Sequence, residues 1–241
     1  MTTPHDPWHI AVLIPARDEE VLLPRCLQSV AEARALLPAH VTSDVIVISD
    51  GSTDRTADLA RDILGTSGIV LHADGGSVGL TRAVAAGVAL QRNKARMDHC
   101  WLANTDADCA VPRSWLLDHL RIAQSGYTAV AGIVDVHDFS EHLDFVEERF
   151  RSSYLLHADG THPHVHGANL GVRADAYLIA GGWSALQTAE DHDLWHRLHA
   201  TGCVRLSDST LQVVTSGRRI GRAPLGFAGA LAAHNHTQVA A

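Results

Sequence analysis

Cys100-Trp101-Leu102-Ala103-Asn104-Thr105-Asp106-Ala107-Asp108 is the stretch whose reading decides the fold. The apolar run Cys100–Ala103 reads as a buried strand, and the acidic tripeptide follows where that strand emerges into solvent. Residues two apart in extended backbone point to the same face, so Asp106 and Asp108 can converge on one hard divalent cation and, through it, on a diphosphate. Taken alone, Asp-Ala-Asp also reads as an ordinary acidic turn, because Asp is common where strands end. Its surroundings decide between the two.

Upstream, strand and helix signals alternate. His9 to Ile14 is a short apolar run ended by Pro15, and Val21 to Leu37 then carries Leu22, Leu23, Cys26, Leu27 and Val30 at helical spacing. Val45-Ile46-Val47-Ile48 is β-branched throughout, as in a strand buried on both faces, and Asp50-Gly51-Ser52-Thr53-Asp54 supplies turn and capping residues ahead of a helix over Arg55 to Leu64. Ile69-Val70-Leu71 reads as a third strand, followed by the loop Gly75 to Gly79 and an Ala-rich helix from Leu80 to Arg92. Such alternation predicts an α/β fold: a mainly parallel central sheet with helices on both faces and ligands at the carboxyl ends of the strands.

Downstream, Ala129 to Val136 reads as a strand, Glu141 to His157 as an amphipathic helix, and Thr188 to Ala200 as a helix stopped by Gly202. Leu225 to Ala233 is too short to span a bilayer and could pack on the domain. The division expected is a flexible N-terminus (1–8), one domain over 9–222 with halves 9–128 and 129–222, and a tail over 223–241.

At 241 residues the chain can bury a large core as one domain. No stretch approaches the roughly 18 uninterrupted apolar residues of a membrane span. Met1 to His9 lacks the basic and apolar regions of a signal peptide, so the expectation is a soluble cytoplasmic protein. Cys26, Cys100, Cys109 and Cys203 form no C-x-x-C pair, which argues against a zinc knuckle, a redox dithiol or a disulfide framework. A formal net charge of -8 argues against nucleic acid or anionic membrane as a partner.

Several groups in this order carry chemistry: Pro15-Ala16-Arg17-Asp18-Glu19-Glu20 after the first strand, Asp50 to Asp54 after the second, Asp106-Ala107-Asp108, then Gly181-Gly182-Trp183 and Glu190-Asp191-His192-Asp193-Leu194. With that order the chain resembles the family 2 glycosyltransferases of the GT-A fold, from about Ile10 to Gly202. The resemblance implies a Rossmann-like sheet that holds a nucleotide-diphospho-sugar, an acceptor region in the C-terminal half, and transfer of the sugar to an acceptor hydroxyl, usually with inversion. It departs from the family pattern at Asp18, where Asn is common, at Ser49, where a second Asp is common, and around Ser77-Val78-Gly79, with Arg82 one place early. All of these surround the nucleotide pocket.

The resemblance assigns Ala16, Arg17, Glu19 and Asp50 to the nucleoside, and it gives Asp191, the second acid of its pair, the role of general base, with Glu190 the next candidate. The alternative for Asp191 is local: Thr188 as an N-cap with Glu190 and Asp191 favoured in the first helical turn by the dipole. Asp108 is the expected metal ligand, with Asp106 on the metal or the ribose. Mn²⁺ or Mg²⁺ fits such oxygens, and an imidazole would favour Mn²⁺. His162, His164 and His166 are spaced two apart. Pro163 and Asp159-Gly160 mark the first two as a solvated loop, whereas His166 opens the small-residue stretch His166-Gly167-Ala168-Asn169 and is a candidate metal or phosphate contact. In the tail, Arg218 and Arg219 suit a diphosphate through forked hydrogen bonds, the alternative being a solvated basic segment. Two rival functions use similar residues: a nucleotidyltransferase, whose usual glycine-rich basic loop Pro15 to Glu20 does not resemble, and a non-catalytic nucleotide-sugar binding protein.

Overall fold

Period-two alternation along the central strands builds two cores, one on each face of the sheet. In β1 (His9–Ala16), Ile10, Val12 and Ile14 enter one apolar cluster with Leu23, Leu27 and Val30 of α1 (Leu23–Arg34) and Trp115 and Leu116 of α4 (Trp115–Gln124). Ala11 and Leu13 enter the other, with Ala85, Ala86 and Ala89 of α3 (Val78–Arg92) and Leu194 and Leu198 of α7 (Glu190–Ala200). A strand buried on both faces has no solvated side, which is why its sequence is continuously apolar. This computed structural model describes residues 7–222 and 226–236. The N-terminal stretch 1–6, Leu225 and the last residues of the expected tail lie outside the described residues.

The sheet has seven strands in the order β3-β2-β1-β4-β6-β5-β7. The remaining strands are β2 (Thr42–Asp50), β3 (Ile69–Ala73), β4 (Cys100–Asn104), β5 (Ala129–Val136), β6 (Leu170–Arg173) and β7 (Arg205–Thr215). β1, β2, β3 and β4 are mutually parallel, as expected. β6 is antiparallel to both β4 and β5, and β7 is parallel to β5. β5 and β7 therefore run in the same direction as β4, and only β6 is reversed. One consequence positions everything that follows. The carboxyl ends of β1, β2, β4, β5 and β7 and the amino end of β6 share one edge, with Asn104 paired to Leu170.

Several element boundaries differ from the sequence expectation. α1 is shorter than Val21 to Leu37, because Pro24 in its first turn sets the start. The helix expected over Glu141 to His157 is reduced to α5 (Val146–Ser153). Residues before it turn instead, His142 N–H donating to Phe139 O, and Leu143 N–H is taken by Asn235 beyond α8 (Phe227–Ala233). α7 starts at Glu190, after Ala189 in the left-handed region (φ 59°), so Thr188 is not its N-cap. α4, β6, α6 (Ala174–Ile179) and β7 were not anticipated. α8 packs Leu231 and Phe227 against Val136, Val146 and Phe150. Among the described residues no helix is long and apolar enough to cross a membrane, and the four cysteines are free.

Candidate active site

The loops leaving β1 and β2 interlock. Asp18 takes the left-handed conformation (φ 52°), a region an Asp side chain tolerates better than most, and its Oδ1 accepts the Thr53 N–H at 2.8 Å. Glu19 N–H donates to Thr56 Oγ1 at 2.7 Å and Glu20 N–H to Asp54 Oδ2 at 3.0 Å. Asp54 Oδ1 also accepts the N–H of Thr56 at the start of α2 (Thr56–Leu64). Asp54 is therefore the structural acid of Asp50 to Asp54. Asp50 is free of that task and turns to Gly76 N–H at 3.2 Å, beside the cleft.

The cleft has a volume of about 290 Å³ and lies along the shared edge of the sheet. Ala16, Arg17, Glu19 and Asp50 line it together with Asp106 and Asp108 and with Ser216, Arg218, Arg222 and Phe227 of the C-terminal wall. Each residue assigned to the nucleoside thus faces the cavity. Arg219 does not line it: its backbone N–H bonds Glu141 Oε2, and the second tail arginine of the wall is Arg222, whose Nη2 donates to Asp18 O at 2.6 Å.

Two arginines, Arg218 and Arg82, set the electrostatics. Arg218 Nη2 lies 2.6 Å from Glu19 Oε1 and 2.7 Å from Asp108 Oδ2, an oxygen that also accepts from Ser216 Oγ at 2.7 Å. Burial pushes the Glu19 carboxyl above its ordinary range, and Arg218 opposes that shift. Buried Arg82 of α3 reaches Asp106 Oδ1 at 2.5 Å and pairs with Glu190 through its other terminal nitrogen. Burial raises the Glu190 carboxyl, with Arg82 again in opposition. Arg82 also lies 5.3 Å over the Trp183 ring. The sequence gives one signal of its role. A charged side chain shares the buried stripe with Ala85, Ala86 and Ala89 on a helix of small residues.

Asp191 follows Glu190 at the start of α7, and its Oδ2 accepts Gly167 N–H at 2.8 Å. A Cβ on Gly167 would come within 2.5 Å of the Arg82 guanidinium carbon, so any side chain there would have to displace Arg82 from its carboxylate partners. The reversed strand β6 brings this segment to the edge where β4 delivers Asp106. Its neighbour Asn169 is fully buried and does not face the cleft. It donates to Ile133 O and Leu211 O and accepts from Trp115 Nε1, pinning the irregular register between β5 and β7.

His162 is buried and His164 half-buried, so neither is the solvated loop residue expected; His164 stacks on Tyr154 with ring centroids 3.9 Å apart. His166 Nε2 lies 2.8 Å from Tyr154 Oη, and Phe227 stands edge-on to its ring at 5.8 Å. Burial pushes His166 down to about 4, with Asp191 the main opposing charge. Of its two ring nitrogens, Nε2 is engaged by Tyr154. Among the described residues no group of three or more His, Cys, Asp or Glu side chains is arranged to hold a metal unaided. The carboxylate oxygens of Asp106 and Asp108 fit a hard cation whose remaining ligands are phosphate oxygens and water.

The chain belongs to glycosyl transferase family 2, whose profile matches residues 11–178. No curated protein sequence matches it significantly. Among solved structures it is similar to S. aureus TarS 1–349 in complex with UDP-GlcNAc, at 16% identity and a TM-score of 0.64 over 89% of this chain and 60% of that one. It is also similar to the mannosyltransferase PcManGT from Pyrobaculum calidifontis in complex with GDP-Man and Mn²⁺, at 17% identity and a TM-score of 0.63 over 94% of this chain and 68% of that one. At such identities the likeness establishes the glycosyltransferase GT-A fold. The chain spans about 60% of the length of TarS 1–349.

Proposed function

We propose that this protein transfers a sugar from a nucleotide-diphospho-sugar to an acceptor hydroxyl with inversion, using Mn²⁺ or Mg²⁺, from a cytoplasmic location. The observation that carries the reading is the convergence of Glu19, Asp50, Asp106 and Asp108 on one cleft, with Arg82 tying Asp106 to the Glu190-Asp191 pair.

Glu19 and Asp50 offer acceptors to ribose hydroxyls or a base N–H, and Arg17 lines the cleft with them. The diphosphate lies between the Asp106–Asp108 pair and the arginines of the wall, Arg218 and Arg222. A divalent ion held by Asp108, with Asp106 beside it, supplies charge neutralisation that grows as the sugar–phosphate bond breaks. Asp191 accepts the proton of the acceptor hydroxyl as its oxygen bonds to the anomeric carbon. The bonding pair of the cleaved C–O bond leaves with the nucleoside diphosphate. Asp191 is oriented by the N–H groups of Gly167 and His192, and Glu190, paired with Arg82, is the second candidate for its role.

The test is product analysis with UDP- and GDP-linked sugars in the presence of Mn²⁺. Release of nucleoside diphosphate and free or transferred sugar is expected. Release of pyrophosphate would make the protein a nucleotidyltransferase, and binding with no turnover would make it a binding module.

A further inference from the structure

Asp108, the carboxylate assigned to the cation, is already held by an arginine. Asp108 Oδ2 receives Arg218 Nη2 at 2.7 Å and Ser216 Oγ at 2.7 Å, so a metal ion can reach that oxygen only when Arg218 moves. Arg218 is in turn shared with Glu19 at 2.6 Å. The arginine belongs to the segment that leaves β7, on the wall facing the cleft, and its guanidinium stands where a diphosphate would need positive charge. A guanidinium suits phosphate as well as carboxylate, through the same forked hydrogen bonds.

We infer that Arg218 is a resident competitor for the cation: it neutralises Asp108 and Glu19 in the empty site, and it is handed to the donor diphosphate when a divalent ion takes Asp108. The inference rests on the nucleotide-sugar reading and adds to it a rule for how the two ligands bind. Metal entering alone must displace Arg218 from Asp108 Oδ2, leaving the guanidinium on Glu19 alone and beside the incoming cation. Diphosphate entering alone must draw Arg218 off two carboxylates and leave them facing its own negative charge. Entering together, each ligand removes the other's obstacle. Metal and nucleoside diphosphate therefore bind with positive coupling, which linkage makes reciprocal. Ser216 stays to donate to Asp108 in either state, so the carboxylate keeps its orientation.

The experiment is calorimetric titration of the full chain with Mn²⁺ alone, with UDP or GDP alone, and with each in the presence of the other. In the wild type, each ligand should tighten the other by a factor on the order of 5 to 150, the usual range of such coupling. Arg218→Met keeps the length of the side chain and removes its charge. It should bind Mn²⁺ alone more tightly than the wild type and lose most of the coupling. Arg219→Met removes the same charge one residue on without touching Asp108, and its Mn²⁺ affinity sets the size of the purely long-range effect. Arg218→Lys, which keeps the charge without the fork, should retain part of the coupling and guards against a folding defect in the Met variant. Unchanged or weaker Mn²⁺ binding in Arg218→Met, or no gain beyond that of Arg219→Met, overturns the inference while leaving the nucleotide-sugar reading standing. Absence of nucleotide binding by the wild type, with or without Mn²⁺, overturns both.

Discussion

Arg82 Nη2 lies 2.5 Å from Asp106 Oδ1, and through this contact the two halves of the site become one unit. The same guanidinium pairs with Glu190, so a single residue of α3 connects the acid that leaves β4 with the acids that open α7. Arg82 is almost wholly buried, its side chain 3% exposed, and Glu190 is nearly so at 6%.

Removing Arg82 should cost more than a surface ion pair. Arg82→Met leaves Glu190 buried without a counter-charge, and breaking one side of a buried pair typically costs about 3–5 kcal/mol. The midpoint of urea unfolding should fall accordingly. Adding Glu190→Gln should restore part of the loss, since the orphaned charge is then gone. A loss below about 1 kcal/mol, the size of an exposed pair, would show that Arg82 is not a structural hinge of the site.

Asp108→Ala should abolish the Mn²⁺-dependent part of nucleotide binding and leave the chain folded. The side chain is on a loop, and its partners, Arg218 and Ser216, can both turn to water. Nucleotide affinity without metal should not fall, because Arg218 is released to the diphosphate. Calorimetry that finds the same metal-dependent gain in the variant as in the wild type would remove Asp108 from the cation site.

Acid should destabilise the fold through its buried histidines. Burial holds His119 at about 3 and His166 at about 4, both below the ordinary value of 6.5. Between those values and 6.5 the unfolded chain binds protons that the native chain refuses. Stability is therefore full above 6.5 and falls as pH drops, by up to about 1.4 kcal/mol per pH unit for each group. Denaturant midpoints at about pH 7, 6 and 5 should show this decline, and His166→Gln, which can still bond Tyr154, should flatten it. Equal slopes in both proteins would mean that His166 is protonated in the native state.

The parallel half of the fold was legible because strands buried on both faces leave continuous apolar runs such as Val45 to Ile48, and because Asp106 and Asp108 follow such a run. The second half was less so. β6 has four residues, one of them glycine, and β7 interleaves Ser207, Asp208, Ser209 and Thr210 across a break in register, so neither carries a strand's periodicity. The reversal of β6 is a tertiary fact, yet it brings Gly167 to Asp191. Arg82 illustrates the same limit. Its partners lie 24 and 108 residues away, and no local pattern connects them. Asn169 sits in a stretch expected to face ligand but is consumed by three hydrogen bonds in the core, which small polar residues serve as readily as sites do.

Asp191→Asn separates binding from chemistry. In the wild type Asp191 Oδ2 accepts the Gly167 N–H and Oδ1 accepts the N–H of His192, each at 2.8 Å. Asn has one acceptor oxygen, so it keeps one of these bonds and loses the other, a change worth about 1 kcal/mol. The dipole contribution of a charge at a helix start adds only tenths to about 1 kcal/mol. Melting temperature should therefore drop by a few degrees, and donor and metal should bind almost normally. Turnover should fall much further, by about 10² to 10⁴, because an amide cannot take the acceptor proton. If Asp191 serves only the backbone of Gly167 and the first turn of α7, the variant will show the small stability loss with near-normal transfer. Glu190 would then be tested next: burial raises its carboxyl, while its pairing with Arg82 through Oε1 opposes taking up a proton. Measuring donor affinity, melting temperature and sugar transfer on this one variant decides between the two roles.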